Sequence, residues 1–346
     1  MNEIDFIARL RQQAQARQHS TRLTKGIGDD ASVIKEAANR DLVVTTDLLV
    51  EGIDFYRHAT PAGLLGHKAL AVSLSDIAAM GARPYWAFLS LGMPRAAWND
   101  SFKDEFTTGF LSLADRFGVT LAGGDVSETK ETIVIDSIVL GEVNSGTAVL
   151  RSGARVGDQI FVTGNLGGAA AGLKLIQLGA RASETEVVAT RSADLSEAQA
   201  VQALLRRQLR PDPRVGWGMI LGEEQLATSM IDLSDGISSD LHHLCKESNV
   251  GAIIDAAALP LDDNVRQLCG RRALDPLSLA LHGGEDFELL FMVSPEDVSR
   301  LPKRVDGVTI ARIGEITTNS NVIEVNEKGR RWKLEPQGYE HFSNNA

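Results

Sequence analysis

Lys68-Ala69-Leu70-Ala71-Val72-Ser73-Leu74-Ser75-Asp76-Ile77-Ala78-Ala79-Met80-Gly81-Ala82 reads as a helix with an acid inside its apolar face. The helical pattern runs from Ala62 to Met80 and is stopped by Gly81, with Pro84 just beyond. Within it Leu65, Ala69, Val72, Asp76 and Ala79 share one stripe at the i, i+4, i+7, i+11, i+14 spacing. Asp76 either marks an exposed edge of that stripe or is buried with a partner. A buried, unpaired carboxylate costs several kcal/mol or becomes protonated, so a cation partner is the favoured reading.

Other acids recur beside Gly, Ser or Thr at the ends of predicted elements. They are Gly28-Asp29-Asp30, Thr45-Thr46-Asp47, Gly123-Gly124-Asp125, Ile231-Asp232-Leu233-Ser234-Asp235-Gly236 and Gly283-Gly284-Glu285-Asp286. Each alone is explained by a loop or a helix cap. If residues 31–36 and 41–46 form a hairpin closed at Ala37–Arg40, Asp30 lies opposite Asp47, within a slip of one or two residues. Opposed carboxylates destabilise a sheet unless something neutralises them. A divalent cation would do so, with the Thr45 and Thr46 hydroxyls as further hard oxygen ligands. Ser234 or Asp235 is the expected N-cap of a helix over residues 237–247, but capping leaves Asp232 unexplained in a strand of Met and Ile. Oxygen-only sites of this kind select Mg²⁺ or Mn²⁺ over zinc or copper, and several of them together suggest chemistry on polyphosphate.

The 346 residues suggest about two domains. A composition shift from Asn144 to Gly153 places the boundary, giving 1–148 and 149–346. An amphipathic helix over 3–17, strands at 31–34, 41–49 and 133–139, and a helix over 97–117 are expected in the first. The second is expected to alternate strands at 159–163, 229–233, 252–255 and 287–293 with helices ending near 178 and 247. Residues 181–200 read as a surface helix or an excursion. The fold class is therefore mixed α/β. A net charge of −11, from 35 basic and 46 acidic residues, argues against nucleic-acid and anionic-membrane partners. It leaves room for phosphates that arrive with metal. No apolar leader follows Met1, so the expected compartment is the cytoplasm. Cys245 and Cys269 read as reduced core thiols. Gly164-Asn165-Leu166-Gly167-Gly168 lacks the Lys-Ser/Thr ending of a phosphate loop and reads as a tight strand-to-helix turn.

Taken together, these segments resemble the thiamine-monophosphate kinase family of the aminoimidazole ribonucleotide synthetase superfamily. The motifs that carry the resemblance are Gly26-Ile27-Gly28-Asp29-Asp30, Thr45-Thr46-Asp47, Lys68 to Ala82, Gly123-Gly124-Asp125, Arg151-Ser152-Gly153-Ala154, Ile231 to Gly236, Gly283 to Asp286 and Gly338-Tyr339. The resemblance implies a homodimer whose N-terminal sheets pair into a shared barrel, with a C-terminal α/β domain alongside. It also implies transfer of the ATP γ-phosphoryl to thiamine monophosphate. By motif position Asp30, Thr45, Thr46, Asp47, Asp76, Asp125, Asp232 and Asp235 would hold several Mg²⁺ ions. Gly124, Asp125, Arg151 and Ser234 would contact ATP, and Asp54, Glu285 and Tyr339 would lie on the acceptor side. Asp47, Asp76, Asp125 and Arg151 would be the catalytic set. Asp54 departs from the family pattern, which has His there; an ionised Asp cannot donate to a phosphate and would act through metal or water, or be displaced. The alternative is another ATP-using enzyme of the same superfamily, such as an amidine-forming purine enzyme or a selenophosphate synthetase, the latter disfavoured because no cysteine precedes Cys245. A metal-stabilised dimer without activity would leave Arg151 and Ser234 without purpose.

Overall fold

A computed structural model of the chain describes residues 3–27, 32–182, 187–188, 195–272 and 274–339. In chain order the elements are α1 (Glu3–Ala16), β1 (Leu23–Lys25), β2 (Val33–Ile34), β3 (Arg40–Val50), α2 (Ala62–Ala79), β4 (Arg83–Pro94), α3 (Arg95–Asn99), α4 (Phe102–Phe117), β5 (Thr120–Thr129) and β6 (Val134–Asn144). There follow β7 (Gln159–Thr163), α5 (Gly168–Gln177), β8 (Arg181–Ala182), β9 (Val187–Val188), α6 (Leu195–Leu209), α7 (Val215–Glu223), β10 (Ser229–Asp232), α8 (Ile237–Ser248) and β11 (Gly251–Asp255). The last are α9 (Asp263–Arg272), α10 (Pro276–His282), β12 (Leu289–Val293), β13 (Arg304–Val305), β14 (Val308–Thr317), β15 (Ile323–Glu327) and β16 (Arg330–Lys333).

The first half is built on a four-stranded sheet in the order β3-β6-β4-β5. β3 and β6 pair antiparallel from Arg40 opposite Asn144 to Val50 opposite Val134. β4 runs antiparallel to β6 and parallel to β5. α2 and α4 cover one face of this sheet, burying Leu65, Leu70, Leu74, Ile77, Phe106 and Phe110 against Leu89, Leu91, Ile135 and Val139. On the other face the ribbon β1–β2 covers only part, where Leu23 packs with Trp86 and Ala122. The outward row of β3 is left bare, with Leu42, Val44 and Leu48 each more than half exposed.

The second sheet has the order β10-β12-β7-β14-β11-β15-β16, with β13 paired to β14. Its core gathers β7, β10–β12 and α8 around Ile160, Ile231, Leu241 and Ile254. The largest core does not stop at the junction of the two sheets. It runs from α2 and α4 through Trp217 and Leu221 of α7 to Phe161 and Phe291. Among the described residues no sheet closes on itself, and no helix is long and apolar enough to cross a membrane.

Three features differ from the sequence expectation. The 31–36/41–46 hairpin does not form. β2 pairs with β1 and β3 pairs with β6, so Asp47 faces Ser137. Asp30 lies outside the described residues. The physical reason is backbone satisfaction: β3 has 11 residues, and β6 pairs with all of them where the two-residue β2 could not. The helix expected over 97–117 is broken into α3 and α4, because the Asp100 carboxylate accepts the Phe102 N–H (2.8 Å) and starts a new helix. Gly123-Gly124-Asp125 lies inside β5, a strand that its pattern does not announce. Residues 183–186 and 189–194 of the expected excursion are outside the described residues, and 195–209 is helix α6.

Candidate active site

Three elements from the two halves meet at one seam. Alternation along β3 turns Thr45 and Asp47 toward α2, while Thr46 faces the other way and is exposed. α2 brings Ser75 and Asp76, and β10 ends on Asp232. The Thr45 hydroxyl donates to the Asp76 carboxylate, and the Ser75 hydroxyl donates to Asp232 Oδ2 at 2.7 Å. Asp47 Oδ2 is buried without a hydrogen-bond partner. Arg151 follows β6 on the connection between the halves and lies near enough to Asp76 and Asp232 for its charge to act on both.

The electrostatics record the crowding of these acids. Burial, then the charge of Asp76, push Asp47 up to about 6. Asp76 is itself raised by burial, against the opposing pull of Thr45 and Arg151. Asp232 is pushed up to about 7 by burial and by Asp76 and Asp47, with Ser75 and Arg151 opposing. Excess negative charge of this kind, with an orphaned buried oxygen at Asp47, is what a divalent cation relieves. The donors are carboxylates and hydroxyls, which fit Mg²⁺ or Mn²⁺. Among the described residues no three acidic, His or Cys side chains chelate a single ion unaided.

Beyond Asp232 the chain turns through Ser234, Asp235 and Gly236 into α8. The cap is not the expected one. Gly236 occupies the N-cap position with no side-chain cap bond. Asp240, one turn on, accepts the N–H groups of Asp235 (3.2 Å) and Gly236 (2.9 Å). Burial, then Asp232 and Asp235, push the Asp240 carboxyl up to about 8. The cap is thus made from inside the helix rather than by the N-cap residue. Two other candidate segments press on this loop. Glu285 N–H donates to Ser234 O at 2.8 Å, and a Cβ on Gly338 would stand 2.3 Å from Asp235 O. Glu285 and the exposed Tyr339 are thereby brought to the same turn.

Other candidates are not part of this cluster within one chain. Gly124 is in register with Leu89, and Asp125 with Ser90. They lie three strands from Asp47 across the sheet, roughly 14 Å at the usual strand spacing. Asp125 and Thr46 belong to the outward face, in rows with Asp136 and Ile138. Asp54 sits in the turn after β3, where its carboxylate accepts the Val50 N–H at 2.8 Å.

The structure also assembles groups that no local motif announces. Glu288, fully buried, accepts Arg214 at both oxygens (2.5 Å each), Arg207 at 3.2 Å and the Thr163 hydroxyl at 2.7 Å. The Asp286 carboxylate accepts Gly167 N–H (2.6 Å) and Ala169 N–H (3.0 Å) at the start of α5. The glycine-rich turn at 164–168 is thus closed by a side chain where a phosphate loop would take its ligand. Lys68 and Gln208 both hold Glu285. Lys68 was visible by the same sign as Asp76, a charge in an otherwise apolar helix.

This architecture, with acids gathered at the seam of two α/β halves, defines a protein of the AIR synthase-related class. The family model for the AIR synthase related protein N-terminal domain matches residues 28–143, and that for the C-terminal domain matches 155–326. The thiamine-monophosphate kinase of Escherichia coli K12 is 38% identical over 325 residues, covering 92% of each chain. The crystal structure of that kinase from Stenotrophomonas maltophilia superposes with a TM-score of 0.80 at 36% identity, covering 95% of this chain and 98% of the other. A solved AaThiL complexed with AMPPCP and TMP gives 0.74 at 29% identity, covering 98% and 97%. The chain belongs to the thiamine-monophosphate kinase family and is an enzyme.

Proposed function

We propose that the chain transfers the γ-phosphoryl of ATP to thiamine monophosphate, forming thiamine diphosphate, by direct in-line displacement. The observation that supports this most is the convergence of Asp47, Asp76 and Asp232, all with raised pKa values, beside Arg151. A site of that charge suits a reaction between two phosphate groups whose repulsion must be screened. Asp30, Thr45, Thr46, Asp47, Asp76, Asp125, Asp232 and Asp235 would hold the Mg²⁺ ions, which would supply that screening and bind the donor phosphates. Gly124, Arg151 and Ser234 would contact the nucleotide, with Asp125 beside them. The acceptor phosphate is largely ionised at pH 7, its second pKa being about 6, so no general base is required. Arg151 would add fixed positive charge where the transferred group passes. Glu285 and Tyr339 would face the acceptor heterocycle, and Asp54 would lie at its edge.

The working unit would be a homodimer in which the bare row Leu42, Val44 and Leu48 meets its copy and joins two open sheets. Thr46 and Asp125 share that face, so any ion they hold would sit at the dimer junction, on the other side of the sheet from Asp47. Residues 1–148 and 149–346 would be the two domains, working in the cytoplasm.

The test is a phosphotransfer assay with ATP, Mg²⁺ and thiamine monophosphate. If no thiamine diphosphate forms while ATP is consumed with another acceptor, the substrate assignment is wrong; if ATP neither binds nor turns over, the kinase reading goes too. Asp47→Asn is expected to reduce turnover by a factor of about 100 or more with the dimer intact, since it removes charged metal ligation. Near-normal activity in that variant would overturn the metal model.

A further inference from the structure

Lys68 is 2% exposed in the middle of an apolar helix. Buried lysines are rare and persist where a partner offsets their desolvation. Its ammonium lies 2.6 Å from Glu285 Oε1. Gln208 of α6, 3% exposed, donates its side-chain amide to the other Glu285 oxygen, and its own Oε1 has no partner. The Glu285 backbone is in the left-handed region at φ 65°, tied by its N–H to Ser234 O. A carboxylate whose side chain is only 29% exposed is therefore gripped at both oxygens and at the main chain.

We propose that Lys68, seconded by Gln208, is a positioning residue for the acceptor substrate. The inference rests on the acceptor-side reading of Glu285 above. Gripping both oxygens fixes the plane of the carboxylate and leaves it lone pairs with which to accept from the amino or cationic part of the acceptor heterocycle. Lys68 sits on the same rigid helix as Ser75 and Asp76, which registers the acceptor against the acids at the seam. An ordinary structural ion pair would tie the halves together without favouring one substrate.

Steady-state kinetics on the full chain separate these roles. Lys68→Gln is expected to raise KM for thiamine monophosphate about tenfold, which corresponds to about 1.4 kcal/mol, with KM for ATP and kcat within about twofold. Lys68→Arg should restore most of the loss, and Lys68→Gln combined with Glu285→Gln should be no worse than Glu285→Gln alone. Multiplying effects in the double variant, or a fall in kcat with KM for thiamine monophosphate unchanged, would overturn the proposal. If Lys68→Gln does not fold, Gln208→Leu carries the same test: a selective rise in the acceptor KM supports it, and unchanged kinetics overturn it. Should Glu285→Gln leave the acceptor KM unchanged, the reading of Glu285 fails first, and the positioning role fails with it. A selective effect of Glu285→Gln with none from Lys68→Gln or Gln208→Leu sinks the positioning role alone.

Discussion

His67, the neighbour of Lys68 on α2, is 5% exposed, and its Nε2–H donates to Pro211 O at 2.7 Å. Burial is the main reason its pKa is lowered to about 4. In the folded chain His67 is neutral where the unfolded chain binds a proton, so between about pH 6.5 and 4 the unfolded state gains protons first and stability falls with acid. The loss is at most about 3 kcal/mol if the whole shift is expressed. Thermal melts of the wild type and His67→Gln from pH 7 to 4.5 should show the wild type losing ground to the variant as pH falls; a constant difference across that range would rule the mechanism out. Residues of this kind show how far the sequence reached. Asp76 and Asp232 were legible because each contradicts its own element, an acid in an apolar stripe and an acid in a buried strand. Arg207, Arg214 and Glu288 were not, because their charges are spread over α6, the start of α7 and the entry to β12 and only the fold makes them a network.

At the scale of elements, α2 and α4 owe their closeness to two glycines. A Cβ on Gly66 would stand 1.9 Å from Phe106 O, and one on Gly109 would stand 1.9 Å from Gly63 O. Gly66→Ala is expected to destabilise the chain by about 2–3 kcal/mol, the upper part of the range for overpacked cores, because the Cβ would meet backbone rather than a movable side chain. Denaturant unfolding would measure this, and a loss below about 0.5 kcal/mol would mean that the helices can part cheaply. The same helix pair was readable from periodicity, whereas the strand partners were not. The short hairpin expected around Ala37–Arg40 loses to a pairing with β6 some 90 positions away, a choice settled by how many backbone groups each partner satisfies. The run Tyr85-Trp86-Ala87-Phe88-Leu89 inside β4 carries the apolar and aromatic bias of a strand. Its flanking prolines, Pro84 and Pro94, mask it as the aftermath of one helix and the prelude to another.

For the whole molecule, the uncovered β3 row predicts association. Val44→Asp should shift the chain toward monomer in light scattering, since a charge would face its copy in place of an apolar contact. A native chain that is monomeric at micromolar concentration would refute the association, and a dimer left unchanged by Val44→Asp would assign it to another surface. The acids at the seam should retain their raised pKa values in such a monomer, because the groups that cause the shifts belong to one chain. Asp125 and Thr46, on the outward face, are the candidates whose contribution should be sensitive to assembly.

Two of the points at which helix α2 touches the second half lie seven residues apart, Lys68 on Glu285 and Ser75 on Asp232. At 1.5 Å per residue that is a span of about 10 Å. A helix packed on all sides neither stretches nor bends by much, so the chain carries a built-in gauge between the two ends of its site. Enzymes that close two lobes on a hinge set such a distance anew in each cycle. Here the largest core runs without a break from α2 through α7 to Phe291, so that gauge is set by packing that both halves share.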